Sequence, residues 1–299
     1  MLRLGLCCLF VVQPIKFRTT TASAMMKLPR VLQLQRISEI CLHNAQSLLA
    51  ALRYCAANGI GAFRVQSQLW PLKTHPAVGY RLDDLPLCEA IVKALDDCRQ
   101  FAKAADLRLS FHPDQFVVLN SPRDEVVDSS LLELEYQAEV AERIGADVIN
   151  IHAGGAYGDK PAALERLERN LGLLSARARS RVTIENDDKL YTPTDLLPLC
   201  RRAGTPLVYD VHHHRCCGDG LTVEEATAAA VSTWNREPQF HLSSPRDGWS
   251  YPKPQFHSDY IDIADVPDCW RGLSVTIDIE AKAKELAVQR LRQQLDNRR

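Results

Sequence analysis

This chain of 299 residues has nine histidines, and eight of them lie outside the segments with long helical periodicity. Several close short apolar runs: His112 in FHPDQF, His152 in NIHAGG and His241 in QFHLSS. Carboxylates close three others: Glu185 in TIEND, Glu280 in TIDIEA, and Asp210 in VYDVHHH, where His212, His213 and His214 follow. His75 comes after the run AFRVQS, and His257 after QFHLSS. Any one of these histidines, taken singly, reads as a satisfied rim or core residue, and Glu185 alone reads as a helix cap. The joint pattern reads differently. Three carboxylates buried without partners would cost several kcal/mol each, on the order expected for unpaired polar groups. Packed together they would repel and shift one another's pKa values. A divalent metal removes both problems, and mixed imidazole and carboxylate donors suit Zn, Mn or Fe better than Ca or Mg. The set is too large for one ion and fits two or three. Asp210 and His213, three residues apart where an apolar run gives way to a turn, can both point inward. His212 and His214 then diverge, as supporting or space-filling groups. Cys216 and Cys217 read as buried thiols rather than soft ligands.

These residues need a scaffold that brings the ends of many short runs together. Along the chain an apolar run is followed by an amphipathic segment, eight times over. The runs are RLGLCCLF, AFRVQS, RLSFHP, DVINIHAG, RVTIEND, PLVYDVHHH, PQFHLSS and SVTIDIEA. The segments between them predict helices over 31–59, 87–106, 129–145, 160–180, 192–204 and 222–237, a looser one over 257–272, and a last one over 282–295. Starts carry Ser, Thr or Pro, as at Thr192-Pro193 and Thr222, and ends carry glycine, as at Gly145 and Gly204. Eight strand–helix units most simply close into an α/β fold of the (β/α)8 TIM-barrel type, a single domain over 1–299, with the active site at the C-terminal ends of the strands. An open doubly wound sheet would show a glycine-rich phosphate turn after the first strand, and none is present. The first run, MLRLGLCCLFVV, resembles a short signal-peptide core, but its alternation and Pro14 favour a first buried strand.

Composition narrows the classes of partner. Net charge is −1, so no global basic field announces nucleic acid or an anionic membrane, and any polyanion contact must be local. Ten cysteines occur without a CxxC spacing, which argues against a zinc ribbon or a secreted disulfide framework and for reduced thiols in a cytoplasmic protein. A metal cluster on such a barrel supports two chemistries. One is phosphodiester hydrolysis, with an open top and backbone-binding loops; the other is sugar isomerisation or epimerisation in a closed pocket. Three loops favour the first. QPIKFRTTTASAMMKLPR places Lys16, Arg18, Thr19, Thr20, Thr21, Lys27 and Arg30 where phosphate oxygens could bind. HPDQFVVLN sets Gln115 and Phe116 just beyond a ligand, a pair suited to enter a duplex in place of an extruded base. SSPRDGWSYPKP adds Arg246, Trp249, Tyr251 and Lys253.

In this order, RLGL, IKFRTTT, FRVQSQLWPL, FHPDQFVVLNSP, INIHAGGAYGDK, TIENDD, VYDVHHHRC, FHLSS, HSDYI and DIEAKAKELA resemble the UV damage endonuclease family over nearly the whole chain. The resemblance implies a TIM barrel related in architecture to endonuclease IV, two or three divalent ions, manganese foremost with zinc, cobalt or magnesium also suited, and double-stranded damaged DNA as partner. It implies incision immediately 5′ to pyrimidine dimers and also at abasic sites, leaving 3′-hydroxyl and 5′-phosphate ends. As metal ligands it implies His112, His152, Glu185, Asp210, His213, His241, His257 and Glu280, with Glu185 bridging. Glu185, His75 and His112 are then the catalytic set, His75 lying near the scissile phosphate. Gln115 and Phe116 enter the lesion, and Lys16, Arg18, Thr19 and Arg246 meet the backbone. A monomer associated with the nucleoid follows, with no membrane attachment. The chain departs from the family in having Gln239 for a lysine that can be carboxylated, Phe116 for a tyrosine, and Leu6 for a tyrosine. A sugar isomerase or epimerase, or a damage-binding protein without chemistry, stands as the alternative.

Overall fold

The computed structural model describes residues 2–297. Eight parallel strands form a closed barrel in sequence order: β1 (Leu2–Cys7), β2 (Ala62–Val65), β3 (Arg108–Phe111), β4 (Val148–His152), β5 (Val182–Glu185), β6 (Leu207–Asp210), β7 (Gln239–Leu242) and β8 (Val275–Ile279). The first run is therefore a strand, and it closes the barrel by pairing with β2 on one side and β8 on the other. Ten helices are described: α1 (Ala22–Met26), α2 (Arg30–Ala57), α3 (Cys88–Ala104), α4 (Asp124–Ile144), α5 (Lys160–Leu171), α6 (Ala176–Arg179), α7 (Pro193–Ala203), α8 (Val211–Cys216), α9 (Val223–Val231) and α10 (Glu285–Asp296). The architecture is the (β/α)8 barrel.

Four segments differ from the sequence-based expectation, the simplest being the helix expected over 222–237, which ends at Val231. The helix predicted over 129–145 begins five residues earlier, at Asp124, where Asp124 and Glu125 supply the acidic first turn that a helix N-terminus favours. The single helix expected over 160–180 is two, because the chain turns at Gly172 and Ser175 caps α6 through its side chain. Among the described residues the seventh unit has no α-helix. Two 3-10 turns, Ile263–Asp265 and Asp268–Trp270, stand in its place, and the buried Trp270 covers the strands there by packing on Phe240 and Tyr209.

Strand alternation separates two faces, both buried. Outward-facing residues such as Phe63, Phe111, Ile184, Tyr209, Phe240 and Ile277 form the apolar core against the helices. The lumen is polar. Thr183 donates to Asn150, Gln239 to Asp278, and Arg108 of β3 reaches Thr276 of β8. Gly5 makes room inside: a Cβ there would stand 2.4 Å from Asp278 Oδ1.

Candidate metal centre at the barrel mouth

All eight proposed ligands meet at the C-terminal ends of the strands. His152, Glu185, Asp210 and His241 lie at or near the ends of β4 to β7, and His112 and Glu280 directly follow β3 and β8. Strand register does the positioning: His152 pairs with Glu185, and Asp210 with His241. Glu185 is central. Its Oε2 lies 3.1 Å from His112 Nε2 and 3.9 Å from His152 Nε2; its Oε1 lies 3.1 Å from His241 Nδ1 and 3.4 Å from His213 Nδ1. Glu280 Oε1 is 3.3 Å from the same His241 nitrogen, and Glu280 Oε2 is 3.8 Å from His257 Nδ1.

The three consecutive histidines separate by local geometry. Asp210 caps α8, its Oδ1 accepting from the His213 N–H at 2.8 Å. This cap places the His213 ring beside the acid, with Nδ1 3.5 Å from Asp210 Oδ2. One residue earlier, His212 points to the seventh loop and packs on Trp249 and His257, ring centroids 5.1 and 5.2 Å away. One residue later, His214 joins Tyr209 Oη at 2.7 Å and Asp219 at 2.9 Å, locking the turn to the wall.

Electrostatics follow from this crowding. Burial pushes the Glu185 carboxyl up, but His241, His152, His112 and His213 overturn that and hold it well below the usual range. Burial pushes His241 down; Glu185, Glu280 and Asp278 overcome it and raise the imidazole to about 9. His213 is raised as well, against burial, by Asp210 and Glu185. Burial dominates at His112 and His212, whose pKa values are lowered. Arg64 binds Glu280, and with His241 it holds that carboxyl well below normal despite burial. In the metal-free chain, protons on histidine thus supply the positive charge that the acids require.

The donor set fits divalent metal. Two groups have ligand atoms all within 4.8 Å of one another, His112–His152–Glu185 and Glu185–Asp210–His241, and Glu185 belongs to both. Among the described residues Asp210 Oδ2 is buried without a hydrogen-bond partner, which a purely structural network would have avoided.

The other expected residues lie around the mouth. His75 is not in the cluster. Its Nδ1 accepts from the Ala77 N–H, and it lines a groove of about 390 Å³ with Trp70, Asp114 and Phe116. Phe116 is 79% exposed, and it lines that groove and two more, one with His112 and Arg64 and one with His152 and Tyr157. Gln115 lines the latter two. Lys16, Arg18 and Thr19 lie at the surface. Their backbone is tied to α2: buried Asn44 accepts from the Arg18 N–H and donates to its carbonyl, while Ser47 donates to the Lys16 carbonyl. Arg30 is occupied by the Val78 and Gly79 carbonyls. Arg246 pairs with Asp247 and stacks on Phe256 at 5.2 Å. Trp249 donates to Asp265 and packs under Arg215.

Several supporting residues escaped the sequence reading. They are Arg64 on Glu280, Asn150 on Glu185, Asn186 on the Asp210 backbone, and buried Asp278. Asn150 and Asp278 each sit two residues before a ligand, so the strand period carried a signal.

Comparison with known proteins places the chain in a family and a fold. The UV-endonuclease UvdE family model matches residues 2–299. A UV DNA damage endonuclease of Bacillus velezensis is 34% identical over 96% of this chain and 91% of its own. One of Bacillus cereus is 31% identical over 92% and 87%. The crystal structure of SacUVDE superposes with a TM-score of 0.88 at 28% identity, covering 99% of both chains. Endonuclease IV from Thermus thermophilus, at 15% identity and a TM-score of 0.64 over 99% of both chains, shares the fold. The chain belongs to the UV-endonuclease UvdE family.

Proposed function

We propose that this protein is a metal-dependent DNA repair endonuclease that cuts the backbone immediately 5′ to UV photoproducts, leaving a 3′-hydroxyl and a 5′-phosphate. The observation that carries the reading is the pair of ligand groups joined through Glu185, in a chain whose relatives are UV DNA damage endonucleases. His112, His152 and Glu185 would hold one ion, and Glu185, Asp210 and His241 a second. His213, His257 and Glu280 complete these shells or take a third. Manganese fits this donor set, as do zinc and cobalt. Bound divalent ions supply Lewis acidity toward phosphate oxygens and acidify water.

The chain's own groups do the rest. Glu185 holds the two halves of the cluster in one register, and Arg64 keeps Glu280 ionised and aimed at the mouth. Exposed Phe116, with Gln115, stands where three grooves meet and enters the duplex at the lesion. Lys16, Arg18, Thr19 and Arg246 bind backbone phosphates, and His75 lies along the path of the strand. Abasic sites, which lack one stacked base, are a second substrate. Among the described residues no helix is long and apolar enough to cross a membrane.

The test is incision of an end-labelled duplex carrying one pyrimidine dimer, beside abasic and undamaged controls, with manganese. A single cut directly 5′ to the dimer is expected. No cut on any duplex by protein with metal bound would move the reading to sugar chemistry or to damage binding alone.

A further inference from the structure

Beneath the ligands the lumen holds a pair that the ligand set does not use. Gln239 and Asp278 lie one inward step below His241 and Glu280, on β7 and β8, and both are buried. Gln239 Nε2 donates to Asp278 Oδ2 at 3.1 Å. Three polar atoms here are buried without a hydrogen-bond partner among the described residues: Gln239 Oε1, Asp278 Oδ1 and His241 Nε2. His241 Nε2 lies 3.7 Å from Asp278 Oδ2. That is longer than a hydrogen bond, and a small rotation of either side chain, or a bridging water, closes it. The space for this carboxylate is built in, since Gly5 lacks the Cβ that would stand 2.4 Å from Oδ1.

The opposite ring nitrogen faces the cluster. His241 Nδ1 lies 3.1 Å from Glu185 and 3.3 Å from Glu280. A neutral imidazole carries one proton, so only one nitrogen can offer a lone pair. With two carboxylates at Nδ1 and no acceptor at Nε2, the proton would sit at Nδ1 and block coordination there. We propose that Asp278 is a positioning residue that holds the His241 ring proton on Nε2 and thereby presents Nδ1 to a divalent cation. Gln239 keeps Asp278 turned toward the ring. The inference rests on the metal-centre reading above.

Two variants and two readouts test it. Asp278→Asn keeps the shape and loses the charge. Gly5→Ala keeps the charge and crowds the carboxylate away. Calorimetric titration with manganese chloride should show affinity reduced roughly 10- to 100-fold in both, the range for removing an outer partner of a histidine ligand. The ring 15N shifts at one fixed zinc concentration, with His241 assigned by its absence from His241→Asn, should show an Nδ1-ligated ring with protonated Nε2 in the wild type and a fraction of unligated ring in both variants. Wild-type affinity in both folded variants, or a protonated Nδ1 in the loaded wild type, would overturn the role of Asp278 while leaving the metal centre standing. Failure of the wild type to bind either metal would instead remove the metal reading, and this inference with it.

Discussion

The ligand cluster and the loops that surround it are held in different ways. Most of the proposed ligands sit on or next to strands, where register alone sets His152 beside Glu185 and Asp210 beside His241. The loops have no ladder. Lys16 and Arg18 are placed by Asn44 and Ser47 of α2, and Trp249 by Asp265. Cys8, Leu72 and Tyr157, in the loops after β1, β2 and β4, hold left-handed φ values of 48°, 61° and 51°. Such strain costs on the order of 1 kcal/mol or more per residue and persists only where the surroundings impose it. The contrast teaches that the cluster depends on the barrel as a whole, whereas the loops around it depend on a few tethers that can be cut singly.

Substitutions can test that division. Glu185→Gln should have the largest effect, lowering incision by on the order of 10³-fold or more, because both ligand groups lose a member. Metal analysis should show the loss directly, while undamaged-duplex affinity changes little. Phe116→Ala should leave metal content intact. It should weaken binding to dimer-containing duplex by roughly 10-fold or more, as expected for losing one stacking contact of ~1–3 kcal/mol, read by fluorescence anisotropy. Asn44→Ala should cost about 1–3 kcal/mol of stability through orphaned backbone groups, and should raise KM more than it lowers kcat. An equal fall in metal binding in that variant would mean that loops and cluster are coupled.

The smallest expected effect is on pH dependence. In the metal-free chain His241 is raised from its ordinary value of 6.5 to about 9. The stability it contributes is therefore complete below pH 6.5 and is lost as pH rises through about 9. Melting of metal-free protein should fall across that window. Manganese affinity should rise across it, because binding displaces the proton. A flat melting profile would mean that the ring is not the cluster's counter-charge.

Much of the cluster was legible because strand ends in a parallel barrel share one face, so residues closing apolar runs had to converge. Asp210 and His213 were legible for a further reason: an acid that caps a turn sits beside the side chain three residues on. The supporting layer was harder to see. Asn150 and Asp278 look like ordinary polar breaks in short strands, and only closure of the barrel shows that they face a common lumen with Gln239. The loops were least legible. Arg30 reads like Lys16 and Arg18 as a phosphate-binding cation, yet its guanidinium is bound to the Val78 and Gly79 carbonyls. The lack of an α-helix between β7 and β8 among the described residues was hidden because Trp270, rather than a periodic face, covers the strand.

The most direct test of the shared cluster is anomalous diffraction from manganese-soaked crystals. Two peaks flanking Glu185 are predicted, one against His112 and His152 and the other against Asp210 and His241. Density at exposed acids alone, or ions that leave Glu185 uncoordinated, would contradict the account.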